Sequence, residues 1–196
     1  MFEMSTIIVK RKEFEVLELI SNNISKCSFK NKIYLLTKLD VNDTNYRENL
    51  FMISKLSHSA VKQPKLKIID KKQGYIVREY IEGTSVFDYI LDHDFDENIY
   101  KKVFYNSYLA RMAGLNLNFD LKVWTLIGDE LYYTDLFCEK YDASKDFTKN
   151  QIRLWFLSTE LRDYYEKNGI LFDKNRLKQE YEVNKEMVLM TCKYYL

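Results

Sequence analysis

Two histidines, His58 and His93, and three cysteines, Cys27, Cys138 and Cys192, set narrow limits on the chemistry open to this chain of 196 residues. The histidines stand apart from any serine or cysteine nucleophile pattern. They read as surface or helix-end residues. The cysteines are widely spaced, odd in number and without a CxxC or Cys/His pairing, so neither a disulfide framework nor a zinc site is implied. No Walker loop is present. Carboxylates, lysines and hydroxyls remain, among them Lys38, Glu48, Asp120, Lys122, Thr125 and Asp135. Lys38 and Glu48, taken alone, read as solvated surface residues.

Charge excludes one class of partner as the first choice. Thirty Lys and Arg against 29 Asp and Glu give a net charge of +1, and so no long-range field to draw nucleic acid or an anionic membrane. A composition of 46% hydrophobic and 30% charged residues is that of a soluble globular domain. The length suits one folding unit, or two small lobes sharing one. The first residues become charged too soon for a secretory leader, and no stretch reaches membrane-spanning length, so the expected location is the cytoplasm.

The elements that must position these side chains fall into two groups. Up to about residue 80 the chain is strand-rich. STIIVK, EFEVLELI, KCSFK, KIYLLTKL, KLKIID and GYIVREYI are short β-branched or aromatic runs divided by turn residues. Tyr46, Leu50, Ile53 and Leu56 recur at helical spacing and insert one helix. The expectation is a five-stranded antiparallel sheet with that helix between strands.

From Gly83 the pattern turns helical. Asp94 followed by Glu97 predicts an N-cap for DENIYKKVFYNSYLARMAGL. KVWTLIGDELYYTDLF predicts a hairpin turning at Gly128 and Asp129. Thr148 and Gln151 predict a capping box for one long helix that stops at Gly169, with Leu154, Leu157, Leu161 and Tyr164 along one stripe. A last helix is expected from about Lys174 to Tyr195. The fold class is α+β, with a sheet-rich part over residues 1–80 and a mainly helical part over 81–196.

Strands, a helix, two strands, a connection, then helices with an embedded hairpin: in this order the chain resembles the protein kinase and aminoglycoside phosphotransferase superfamily, with small atypical and lipopolysaccharide-kinase-like members nearest in size. The resemblance covers about Phe14 to Asp135. It rests on KIYLLTKL ending in Lys38, on Glu48 in the next helix, on GYIVREYIEGTSVFDYIL, on Asp120-Leu121-Lys122, and on Asp135 before Leu136 and Phe137.

What the resemblance implies is a two-lobed kinase-like fold, reduced in its helical lobe, that uses ATP and magnesium. Lys38 and Glu48 would pair to hold the α- and β-phosphates, and the hinge at Glu79, Tyr80 and Ile81 would offer main-chain groups to adenine. Asp120 would be the catalytic carboxylate, and Lys122 would offset charge on the transferred group. Asp135 and Thr125 would be the metal ligands. The chain departs from the family at Asn118 and Phe119, which replace the catalytic-loop His and Arg, at Thr125, which replaces a metal-binding Asn, and at Ser21-Asn22-Asn23, which replaces a glycine-rich phosphate loop. The implied function is transfer of the γ-phosphoryl group to an unknown hydroxyl acceptor. The alternative is a pseudokinase, a nucleotide-binding or protein-interaction scaffold without catalysis.

Overall fold

The computed structural model describes residues 5–171 and 180–195. The chain is α+β and divides into two compact units. One comprises residues 1–57 and 63–82, the other residues 58–62 and 83–196. No helix among the described residues is long and apolar enough to cross a membrane.

The first unit is a six-stranded antiparallel sheet. Its strands are β1 (Thr6–Val9), β2 (Lys12–Ser21), β3 (Ile24–Phe29), β4 (Lys32–Lys38), β5 (Leu66–Asp70) and β6 (Tyr75–Glu79), ordered β1-β2-β3-β4-β6-β5. All six strand-like runs form strands, so the sheet has six and not the expected five; STIIVK supplies β1, which pairs with β2 from Thr6↔Glu15 to Val9↔Lys12. The turns at Lys10-Arg11 and Lys30-Asn31 take positive φ at both residues, which matches the twist of two-residue hairpins. Alternation along the strands places Val9, Phe14, Cys27, Leu36, Ile68 and Val77 in one core. Helix α1 (Tyr46–Ser57) buries Tyr46, Leu50, Ile53 and Leu56, the stripe read from its spacing, together with Met52.

Asp70 organises the β5–β6 connection. Its Oδ1 accepts from the amides of Lys72 and Gln73, both at 3.1 Å, and those bonds hold its carboxyl below the usual range.

The second unit carries β7 (Thr84–Ser85), α2 (Val86–Asp92), α3 (Glu97–Met112), β8 (Leu115–Asn116), β9 (Trp124–Ile127), β10 (Glu130–Tyr133) and β11 (Glu139–Lys140). Then come α4 (Phe147–Asn150), α5 (Thr159–Lys167) and α6 (Glu180–Tyr194). The β9–β10 hairpin forms where expected, with Gly128 at φ 54°. β7 adds to it as a third strand. Its close approach requires a glycine, because a Cβ on Gly83 would collide with the Leu126 carbonyl oxygen.

Two expected caps move. Asp96, not Asp94, caps α3, its Oδ1 accepting from the Ile99 amide at 2.8 Å. The long helix of residues 148–169 is not continuous. Asp146 caps the short α4, a 3₁₀ turn covers Ile152–Trp155, and Ser158 caps α5. A straight helix would spread Ile152, Trp155, Phe156, Leu161 and Tyr165 around too much of its circumference, and all five are buried here. Breaking the helix lets each face a core. Residues 172–179, where the last helix was expected to begin, lie outside the described residues.

Aromatic rings fill this core. Phe119 stacks on Trp124 with centroids 5.3 Å apart and tilts against Phe147 at 4.4 Å, while Trp124 and Trp155 meet edge to face at 5.8 Å.

Candidate functional site

The β9–β10 hairpin brings two carboxylate loops of the second unit together. The loop 117–120 leaves β8 and enters a 3₁₀ turn at Leu121–Val123 that leads into β9; the segment 134–137 leaves β10 and runs to β11, which pairs back onto β8. Buried Leu117, Phe119 and Leu121 alternate with Asn118 and Asp120, so the apolar residues anchor the loop and the polar ones face outward.

Both indoles hold this loop by its carbonyls. Trp124 Nε1 donates to the Asn118 oxygen at 3.0 Å, and Trp155 Nε1 donates to the Phe119 oxygen at 2.8 Å. Gln151, expected to serve a local cap, instead accepts from the Phe119 amide through Oε1 at 2.6 Å. The Val123 carbonyl accepts from both the amide and the hydroxyl of Thr134, at 2.8 and 2.9 Å. The Tyr133 hydroxyl donates to the Phe137 carbonyl and accepts from the Asn118 amide at 3.2 Å, tying one loop to the other.

Asn118 completes the link with its side chain. Its Oδ1 accepts from the Asp120 amide at 2.9 Å, and its Nδ2 lies 3.5 Å from Asp135 Oδ2 as donor. Asp135 Oδ1 accepts from the Phe137 amide at 3.1 Å. Asn118 thus links the main chain of Asp120 to the Asp135 carboxylate.

Asp120 is held on one oxygen only. Oδ1 accepts from the Lys122 amide at 2.8 Å and from the Tyr164 hydroxyl at 2.6 Å, whereas Oδ2 makes no hydrogen bond among the described residues. Burial, followed by that bond to Asp120, pushes the Tyr164 phenol well above its ordinary value, so it remains a donor. Lys122 Nζ donates to Asn168 Oδ1 at 2.6 Å and sits 4.8 Å from the Phe87 ring. Asn168 Nδ2 donates to the Tyr164 carbonyl at 2.7 Å, so α5 and its C-cap grip both charged members of the Asp-Leu-Lys run.

Thr125 lies on β9, opposite Ser85 and Tyr132, with its methyl toward Gly83. No bond joins it to Asp135 among the described residues. Magnesium is commonly held by one or two carboxylates, with phosphate and water oxygens completing the shell. Asp135 fits that donor role. Among the described residues no cluster of three or more His, Cys, Asp or Glu forms a metal cage.

In the first unit, Lys38 ends β4. Its ammonium donates to the Gln73 carbonyl and lies 4.2 Å from the Tyr75 ring. Glu48 is exposed in the first turn of α1, and no ion pair joins it to Lys38 among the described residues. Glu79 pairs with Lys67 at 2.5 Å, and its amide donates to the Lys65 carbonyl. The Tyr80 amide donates to the Ile33 carbonyl at 3.1 Å, and its ring lies under the Lys26 ammonium at 4.2 Å. The main chain of Ile81 makes no hydrogen bond among the described residues. The Asn22-Asn23 turn closes β2 on β3 without positive φ, so its backbone is not the glycine-like curl that brings successive amides onto an anion.

Sequence reasoning missed Tyr164 and Asn168 as site residues and took Asn118 only as a replacement. Tyr164 belongs to a helical stripe that looks like core, and Asn168 beside Gly169 looks like a helix stop. Neither carries a local signal of its distant partner.

No protein-family model matches the chain, and no curated protein matches it either.

Proposed function

We propose that this chain is a divergent kinase-like phosphotransferase that moves the γ-phosphoryl group of ATP to a hydroxyl acceptor. The observation that carries this proposal is the Asn118 side chain, which joins the Asp120 loop to the Asp135 carboxylate within one unit. In-line phosphoryl transfer needs little covalent chemistry from a protein. It needs a carboxylate to orient the acceptor hydroxyl and an acidic metal ligand beside it.

Asp120 suits the first role. Tyr164 and the Lys122 amide fix Oδ1, leaving Oδ2 to align a hydroxyl and take its proton. Asp135 suits the second: its carboxylate would hold magnesium, which when bound would neutralise phosphate charge. Lys122 adds positive charge next to Asp120 while Asn168 restrains it.

A pseudokinase is the second reading, favoured by a specific observation: Lys38 rests on the Gln73 carbonyl and not on Glu48. The two separate in one set of measurements on purified protein. Thermal melting is followed with ATP, with and without magnesium, and ATP consumption is compared for wild type, Asp120→Ala and Asp135→Ala. For an enzyme, magnesium-ATP raises the melting temperature and either substitution lowers turnover by about 100-fold or more. Magnesium-dependent stabilisation with no turnover identifies the scaffold. Three proteins that behave identically in both assays would remove the site.

A further inference from the structure

The second unit holds a cavity of about 650 Å³ at the C-terminal end of α3, bounded by α4, the 3₁₀ turn after it, and α6. Neither Asp120 nor Asp135 lines it. Its volume is that of a pocket for a small organic molecule. Ile152, Met187 and Val188 give it an apolar wall, and Arg111 and Lys149 supply positive charge.

Among the described residues no carboxylate pairs with that charge, although the Arg111 guanidinium also lies 5.8 Å from the Tyr108 ring centroid. The Arg111 guanidinium stacks on Tyr195, 4.5 Å from the ring centroid, and neither Arg111 nor Lys149 forms an ion pair among the described residues. Asp146, the acidic residue in the wall, has both oxygens occupied: Oδ1 by the amide and hydroxyl of Thr148, Oδ2 by the hydroxyls of Tyr141 and Tyr195. A carboxylate accepting four donors has little capacity left for a guanidinium. Arg153, which also lines the cavity, differs from Arg111: it is bound to Glu160, Glu180 and Asn184. The arrangement is a stacked arginine with a fixed position, an exposed lysine and an apolar wall.

We propose that this cavity binds a small amphipathic organic anion, a carboxylate or phosphate monoester on an apolar body, with Arg111 and Lys149 on the anionic head. The site is separate from the proposed catalytic group, and its occupancy is independent of it.

Calorimetric titration of the full chain with octanoate, octyl phosphate and octan-1-ol tests this. The three share an apolar body and differ in the head. At least one anion is expected to bind about tenfold or more tighter than the alcohol, which corresponds to about 1.4 kcal/mol. Binding by one anion alone assigns the head as carboxylate or phosphate. Lys149→Gln and Arg111→Gln are each expected to weaken that anion by about tenfold. Lys149 is exposed, so its variant keeps the fold. Val188→Trp, at a position 62% exposed, plugs the cavity and abolishes binding. The bound anion also slows alkylation of Cys192, an exposed thiol in the cavity wall. Asp120→Ala binds as wild type does. Equal affinity for octan-1-ol, no binding of either anion, or unchanged binding in Lys149→Gln and Arg111→Gln overturns the proposal.

Discussion

The Tyr164 hydroxyl donates to Asp120 Oδ1 at 2.6 Å, across 44 residues of sequence. It is the contact by which a helix late in the chain fixes the orientation of a loop carboxylate. Tyr164→Phe removes that donor and leaves the ring. The expected outcome is a melting temperature lowered by the equivalent of about 1 kcal/mol, with kcat for ATP turnover reduced about tenfold and KM for ATP unchanged. Steady-state kinetics beside thermal melting decide it. An equal change in KM would make Tyr164 a substrate-binding residue instead.

Asn118 acts through its neighbours. Asn118→Ala deletes the link to Asp135 and the acceptor for the Asp120 amide. Turnover should fall about tenfold or more while the unfolding midpoint in urea shifts little, since Asn118 is exposed. Asn118→Asp keeps the acceptor and brings a second negative charge to Asp135. It is expected to be worse than alanine at low magnesium and to recover as magnesium rises.

Trp155 is fully buried and bonds to the Phe119 carbonyl. Trp155→Phe fills much of the space but orphans that oxygen, whereas Trp155→Ala adds a cavity. Losses of about 1–3 kcal/mol and about 3–5 kcal/mol are expected, read from urea unfolding by circular dichroism.

Two glycines separate crowding from backbone strain. Gly83→Ala drives a methyl group onto the Leu126 carbonyl and should cost about 1–3 kcal/mol. At Gly128, φ is 54° and a Cβ would meet nothing within 4 Å, so Gly128→Asn, which tolerates that φ, is expected to be nearly neutral. Equal costs at the two sites would contradict the packing of β7 against β9.

Tyr100, Tyr164 and Tyr195 all have phenol pKa values raised above the ordinary 10.0, in each case first by burial and then by neighbouring carboxylates. A raised folded pKa means that the native state holds the proton more tightly than the unfolded chain. Stability from these phenols is therefore complete below pH 10.0 and is lost as pH rises through the folded values. Urea midpoints should hold steady up to about pH 9 and fall steeply above about pH 10, and Tyr195→Phe should flatten the fall. A midpoint indifferent to pH between about 9 and 11 would contradict the burial of these hydroxyls.

The sheet strands, α1 with its stripe of Tyr46, Leu50, Ile53 and Leu56, and the hairpin turning at Gly128 were legible in the sequence, because alternation, helical spacing and turn chemistry are decided by residues a few positions apart. The approach of the Asp120 and Asp135 loops was legible, since the hairpin between them is itself a local structure that returns the chain. The break in the expected helix of residues 148–169 was not, nor were the roles of Gln151, Asn118, Tyr164 and Asn168. Gln151 had a local cap available and took a distant partner, and Tyr164 looked like one more core ring. Tertiary packing sets Gln151 2.6 Å from the Phe119 amide and Lys122 2.6 Å from Asn168. For the amide of buried Phe119 an unmade bond would be costly, so the distant partner wins. Sequence specifies such choices only through the whole fold, so only the tertiary structure displayed them.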